Sequence, residues 1–543
     1  MSQNSSQHCV SGEDLQGHVI HRTADNLTRR QLQSLKLMDH AHNSHSRFYY
    51  LASVDPRVLL PRTLLSHNVE VNNIIFPHCG FRARTDATSY EGITMHRTLE
   101  LASFVSSVTD VPSTVKRAAK RVLLDTVGAG IAGVATQGGA AALQGAKTSW
   151  GEGESAVWFS SERLRPAGAA FVNSAYASML DLDDGHRAAA GHPGAAIVPA
   201  VLTIARIVKA TPDRVLTAIA VGYEVALRVS AARDINAIRT TDTGKWCGYG
   251  VAAATGWLKQ LPTTTIAEAM AIAGHTASGQ SATGWTKLGH TVKEGIPFAT
   301  AGALMAVDLA RVGYTGPLDL LDDADRFDQG RLTSNLGTKW EIESGYFKIY
   351  SACRWIHAPI DAALALQTEH RIKLDEIEEI EIGLFARGLT LLNKTDPDST
   401  AAAQYSTPFS VALAMVHGAK ALLPVTDQYL HDPRVTSLAT RVRLVHRSDM
   451  DQSFPAMTPA SIRIRHAGRT AHMDISAPRG DPSNPLSDED LHDKFMSIAQ
   501  GRMATPAAER LRSALWSIDA KAKTDHLFQA METGVKQDSS APL

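Results

Sequence analysis

From Met95 onward, apolar positions recur at helical spacing along most of the chain. In HRTLELASFVSSV, Leu99, Leu101, Ala102 and Val105 fall on one side. VPSTVKRAAKRVLLDTVGAGIAGV follows, with Pro112 near an N-terminus, where a missing N–H does no harm. RPAGAAFVNSAYASML is small on every face and predicts a closely packed helix, and HPGAAIVPAVLTIARIV predicts another. TPDRVLTAIAVGYEVALRVSAA opens with Thr211 as N-cap and Pro212 in the first turn. GVAAATGWLKQL, TIAEAMAIAGHTAS and PFATAGALMAVDLARVG continue the helical pattern. The period then changes to two in EIEEIEIGLF. AQYSTPFSVALAMVHGAK returns to helix, and SIRIRHAGRTAHMDIS reads as a hairpin around Ala467-Gly468. LSDEDLHDKFMSIA and PAAERLRSALWSI close as charged helices. The pattern predicts a mainly α protein: a large all-α domain over 95–342, a smaller α+β domain over 343–484, a return to helix over 485–530 and a flexible tail over 531–543.

Residues 1–94 hold no period for long. LTRRQLQSLKLMDHAH forms at most one short helix, so this stretch is expected to be an accessory extension largely without fixed structure. It lacks the apolar core of a secretory signal, and Glu13, Asp14 and Asp25 argue against a mitochondrial presequence. His8, Cys9, His18 and His21 match no zinc-binding spacing. Cys9, Cys79, Cys247 and Cys353 are scattered with no CxxC pair, which points to a reducing cytoplasm. A net charge of −1 gives no electrostatic reason to expect nucleic acid as a partner. With no run of about 18 uncharged apolar residues, no membrane span is expected either.

Two local patterns bear on chemistry. Gly128-Ala-Gly130-Ile-Ala-Gly133 matches GxGxxG, but a helix precedes it where a dinucleotide site requires a strand. These glycines are therefore read as a close helix–helix contact, and a nicotinamide cofactor is not expected. Between two apolar helices, NSAYASMLDLDDGHRAAAGHPG packs Asp181, Asp183, Asp184, His186 and His192 into twelve residues. Carboxylates this close raise one another's pKa and titrate together, which is how a general base or a retained proton is prepared near neutral pH. The plainer alternative is an acidic surface turn capping the next helix.

Several ordered stretches resemble the MmgE/PrpD family, which includes 2-methylcitrate dehydratase, cis-aconitate decarboxylase and iminodisuccinate epimerase. They are LASFVSSV…VPSTVKRAAKRVLLDTVGAGIAG, FVNSAYASMLDLDDGHR…GHPGAAIVPA, VGYEVALRV, GYGVAAATGWL, VKEGIPFATAGALMAVDLARVGYTGP and GYFKIYSACRWIHAPIDAAL. The resemblance implies a helical domain built from both ends of the chain, an inserted α+β lid, a homodimer, and a site between domains. It also implies chemistry next to carboxylates without a metal. Asp181 matches the family's D-x-D-D segment, His192 its HPG segment, Lys293 a lysine before a small-residue helix, Lys348 a lysine at the start of the lid, and His357 the histidine closing that motif. The chain departs from the family at Gly185, where a threonine is common, and at Val292, where a bulky residue precedes the lysine. It departs again at Cys353, where the animal itaconate-forming decarboxylase has a histidine.

Removing a proton next to a carboxylate needs a base, cations to hold the carboxylates and an acid for the leaving group. Asp181 and His192 are the acid/base candidates and Lys293 and Lys348 the cations. Asp184, His186, Arg354 and His357 are candidate substrate contacts, Arg354 through a bidentate pair with a carboxylate or, alternatively, with an acid of the chain itself. Two cysteines outside the leader are too few for an iron–sulfur cluster, so no cofactor or metal is expected. The expected function is a cofactor-independent hydro-lyase that dehydrates a 2-methylcitrate-like di- or tricarboxylate. An epimerase, isomerase or decarboxylase on the same scaffold is the first alternative. A carboxylate-binding protein without turnover is the alternative of another class.

Overall fold

The protein is described by a computed structural model covering residues 95–238, 241–278, 290–518 and 524–535. The expectations for 1–94, including its short helix and its His/Cys set, lie outside the described residues.

The fold is mainly helical, as the period predicts. Short turns aside, the first helices are α1 (Arg97–Ser107), α2 (Ser113–Val134), α3 (Gln137–Trp150), α4 (Pro166–Ser178) and α5 (Gly194–Ile207). They are followed by α6 (Pro212–Ala231), α7 (Cys247–Leu258), α8 (Thr263–His275) and α9 (Ile296–Arg311). Thr211 stands at the N-cap of α6, but its side chain makes no capping bond; Pro212 in the first turn does the local work. From Val122 to Val134, α2 is buried on all sides, because its small residues let neighbours approach from every direction. The GxGxxG glycines serve that approach. A Cβ on Gly133 would lie 1.9 Å from the Tyr176 carbonyl oxygen of α4, and one on Gly128 would lie 3.1 Å from the Phe495 ring.

The second part of the chain adds α10 (His357–Glu369), α11 (Thr407–His417), α12 (Pro433–Ala439) and a four-stranded sheet. Two short pairs come earlier in the chain: β1 (Glu152–Ala156) with β2 (Arg163–Leu164), and β3 (Gly185–His186) with β4 (Gly345–Tyr346). The sheet holds β5 (Ile377–Leu384), β6 (Val442–His446), β7 (Ala460–His466) and β8 (Arg469–Ile475) in the order β6-β5-β7-β8. β6 runs parallel to β5, and the other neighbours are antiparallel. The β7–β8 hairpin turns at Ala467 (φ 46°) and Gly468 (φ 72°), the left-handed pair that a two-residue hairpin requires.

The chain then returns to helix in α13 (Asp488–Gln500), α14 (Thr505–Trp516) and α15 (Thr524–Met531). Ser487 and Asp490 form a reciprocal capping box that starts α13. The apolar interior forms two cores. One joins α1–α9 to α13–α15 through residues such as Leu124, Ile197, Leu227, Phe495 and Leu511. The other joins the sheet to α10 and α11 through Ile360, Ile380, Phe409 and Ile462. Among the described residues, no helix is long and apolar enough to cross a membrane.

Candidate active site

The segment between α4 and α5 is not a surface turn. Asp181, Asp183, Asp184, His186 and His192 are all buried. Burying this much charge is tolerable only where partners are supplied, and they come from distant parts of the chain. The β3–β4 pair sets Gly185 against Tyr346 and His186 against Gly345. That pairing delivers Lys348, whose Nζ donates to the Asp181 carboxylate (2.5 Å) and to the Asp181 carbonyl (3.1 Å). Lys494 of α13 donates to the next carbonyl, that of Leu182 (2.7 Å), and to the Asp125 carboxylate of α2 (2.6 Å). Two successive carbonyls are thus each held by a buried ammonium. Asp181 itself has φ 54°, a left-handed conformation that costs about 1–3 kcal/mol and persists because these contacts impose it.

Asp184 shapes the loop rather than the cavity. Its carboxylate accepts from the Gly194 N–H (3.1 Å) at the start of α5 and from the Tyr223 hydroxyl (2.8 Å). Burial, reinforced by Asp125, pushes Asp184 well above the usual carboxylate range. Its carbonyl lies 3.0 Å from His192 Nδ1. A carbonyl only accepts, so a ring proton sits on Nδ1, and Nε2 is the nitrogen placed to take up or give a second one. That Nε2 lies 3.5 Å from the Asp181 carboxylate, while Asp183 lies 3.6 Å from Nδ1. Burial favours the neutral form of Asp181, yet Lys348, then Lys293 and His192, outweigh it and hold its pKa below the ordinary value. Asp183 goes the other way: burial raises it more than His192 and Lys348 lower it.

Lys293 enters from a tight turn in which Lys293, Glu294 and Gly295 are all left-handed (φ 43°, 59° and 75°). Its Nζ donates to Gln404 (2.7 Å) and lies 5.3 Å from the centre of the Tyr405 ring. Burial lowers its pKa and Asp181 partly restores it. Glu294 accepts from the Thr241 hydroxyl and from the Thr243 hydroxyl (2.6 Å), and the Thr243 oxygen in turn accepts the His192 N–H (3.1 Å).

A small cavity opens on this group. Asp181, His186, Arg187, Ala190, Gly191, His192, Thr241, Glu294, Tyr346, Cys353, Arg354, Trp355, Tyr405, Phe454 and Pro455 line it. The structure therefore brings Asp181, His192, Lys293 and Lys348 together, with the two lysines buried beside the cavity wall. His186 and Arg354 line the cavity; Asp184 and His357 do not. Arg354 directs its N–H groups to Asp481 (2.8 and 3.1 Å), to the carbonyls of Pro478 (3.1 Å), Arg479 (2.9 Å) and Phe347 (3.4 Å), and to His357 Nδ1 (3.1 Å). His357 donates in turn to the Ala352 carbonyl (3.2 Å). Burial beside Arg354 pushes His357 well below its ordinary pKa, so it is a neutral support for the arginine. Arg187, Tyr405, Gln404 and Thr243 also belong to the group, and no sequence pattern singled them out.

Asp181, Asp183 and His192 offer donor atoms within 4.8 Å of one another, a spacing that a metal ion could use. The ammonium of Lys348 already occupies the Asp181 oxygen, and Lys293 acts on the same carboxylate. A dication here would meet two buried cations. The donor set fits proton transfer beside fixed positive charge better than it fits a metal.

A cis-aconitate decarboxylase of Aspergillus terreus is 24% identical over 502 residues, covering 83% of this chain and 98% of the fungal one. Proteins of the same name from Mus musculus and Homo sapiens are 26% and 27% identical, covering 79% and 72% of this chain and 91% and 85% of their own. The MmgE/PrpD N-terminal domain matches residues 99–336 and the MmgE/PrpD C-terminal domain residues 350–520. One family's two domains thus account, in order, for the helices that flank the 181–192 loop and for the part of the chain that supplies Arg354 and Tyr405: the chain belongs to the MmgE/PrpD family.

Proposed function

We propose that the chain is a lyase that acts on a di- or tricarboxylate by moving a proton at a carbon next to a carboxylate group. The observation that carries this reading is His192, its Nδ1 held by the Asp184 carbonyl and its Nε2 turned toward Asp181, in a cavity backed by two buried lysines. The lysines stabilise the negative charge that develops on the substrate, and His192 accepts or delivers the proton. The names of the relatives favour loss of CO2 from a cis-aconitate-like tricarboxylate. In that reaction the bond to the departing carboxyl breaks, its electron pair spreads over the adjacent double bond, and a proton is placed on carbon.

Dehydration of a hydroxylated polycarboxylate is the second reading. It is favoured by Cys353, which lines the cavity where the family resemblance places a histidine in the animal decarboxylase. Incubating the protein in deuterated water with cis-aconitate and with 2-methylcitrate-like hydroxy acids separates the two. CO2 release with deuterium uptake supports the decarboxylase, and a new alkene without CO2 supports the dehydratase. Exchange without either product points to an epimerase. Binding without any of these changes sinks every enzymatic reading and leaves a carboxylate-binding protein. A homodimer is part of the same proposal. Phe298, Met305 and Val312 leave an exposed apolar stripe along α9, and light scattering of Phe298→Glu should show monomers if that stripe pairs.

A further inference from the structure

Two arginines line the cavity, and they are used differently. Arg354 is saturated by the protein, as described above. Arg187 is not. All its hydrogen bonds leave from Nη2, two to the Asp481 carboxylate (2.7 and 2.8 Å) and one to the Thr458 hydroxyl (2.9 Å). Its Nε–H is buried with no acceptor. Next to it on the same wall, both ring nitrogens of His186 are buried without a hydrogen-bond partner, with Glu341 at 3.6 Å, beyond hydrogen-bonding distance. A buried guanidinium N–H without an acceptor, on a residue that lines a cavity, marks a place where a ligand group completes the structure.

The charge points the same way. One carboxylate, Asp481, stands against two guanidiniums, so a surplus positive charge remains beside the cavity. Both guanidiniums lie 5.0 Å from the Tyr346 ring, which fixes their planes. His186 is held neutral, pushed down to about 4 by burial, so it supplies a hydrogen bond and no charge. Arg187 is the cation that remains available.

We propose that Arg187 recognises the second carboxylate of the substrate, one not involved in the proton transfer, through the N–H groups that the protein leaves unused. This rests on the polycarboxylate reading above and assigns to Arg187 the contact that the sequence suggested for Arg354. A guanidinium fork suits a planar carboxylate, and Asp481 keeps the fork from swinging away.

The test uses the full chain and two unreactive probes, propane-1,2,3-tricarboxylate followed by calorimetry and butanoate followed by ligand-observed NMR. Arg187→Met should weaken the tricarboxylate by about ten- to a hundred-fold and leave butanoate unchanged. With a turned-over substrate, KM should rise while kcat stays within about threefold, since the contact is made equally in the ground and transition states. Arg187→Lys keeps the charge but loses the fork, and should fall between the two. Wild-type affinity for the tricarboxylate in a folded Arg187→Met protein overturns the proposal, and so does equal weakening of both probes. If Arg187→Met fails to fold, unchanged affinity in Arg187→Lys overturns it instead. Tricarboxylate binding through Arg187 in a protein that turns nothing over would defeat the lyase reading and leave this one standing.

Discussion

Replacing Lys348 by Met tests the electrostatic core of the site. The Lys348 ammonium is fully buried and 2.5 Å from the Asp181 carboxylate, which is itself buried. Methionine keeps most of the stem and removes the charge. Breaking a buried pair from one side leaves the other charge uncompensated, which costs about 3–5 kcal/mol. The sign with pH follows from Asp181. Its folded pKa is lowered, so its contribution to stability is present above the unfolded value and is lost as pH falls through the folded one. Without Lys348, burial outweighs the remaining pull of Lys293 and His192, the pKa rises above the ordinary value, and stability instead falls as pH increases. Urea unfolding at pH 5, 7 and 8 reads this as a difference: the raised carboxyls of Asp183 and Asp184 act on both proteins, so the deficit of the variant relative to the wild type should widen as pH rises. Adding Asp181→Asn to Lys348→Met removes the stranded carboxylate and should recover at least half of the loss. Additive losses in the double variant, or no loss in the single one, would falsify the claim that Asp181 depends on Lys348.

Other outcomes are open to measurement. His192→Gln removes the ring nitrogen that exchanges the proton and should lower kcat by about 10²–10⁴-fold with the fold intact, read by solvent deuterium exchange and circular dichroism. His186 is buried neutral with a pKa of about 4, so its contribution to stability is complete above about 6.5 and shrinks as pH falls toward 4. That part amounts to roughly 3 kcal/mol and should disappear from the acid limb of the stability curve in His186→Gln. Gly133→Ala drives a methyl onto the Tyr176 carbonyl and should cost about 3 kcal/mol in denaturant unfolding, the upper part of the usual overpacking range. Asp184→Asn keeps an acceptor for the Gly194 N–H and a polar group for Tyr223. It should be close to neutral at pH 5 and stabilising at pH 8, where the wild-type carboxyl is driven toward a buried charge.

The elements that the sequence displays are those whose partners are generic. α1, α2, α4 and α5 are legible because an apolar surface repeats along them, whatever they pack on. The β7–β8 hairpin is legible because two left-handed residues need Ala467-Gly468 or something like it. The loop at 181–192 is legible as a concentration of titratable groups, but its burial is not. Surface turn and buried base have the same composition, and the difference lies in Lys348 and Lys494, 167 and 312 residues away from the carbonyls they hold. β3 and β4 are two residues each, too short for any period, yet their pairing sets the site. β6 has no clean alternation because most of its positions are half-exposed at a sheet edge. Arg187 and Arg354 look alike in sequence, and only the hydrogen bonds show which of them the protein has already filled.

The clamp of Lys494 on Leu182 and Asp125 also sets an order of events during synthesis. The loop bearing Asp181 and His192 leaves the ribosome long before α13 does, and in that interval Asp125 has no Lys494. A nascent chain that has reached the sheet but not α13 must either leave α2 open to water or bury a carboxylate without its cation. Without α13 the face of α2 that meets Phe495 is uncovered as well, so the incomplete chain should be more readily cut by protease within 113–134 and become resistant once residue 494 is made. The candidate site would then be assembled late and all at once, and a chain truncated after the sheet would carry Asp181, His192, Lys293 and Lys348 without the geometry that brings them together.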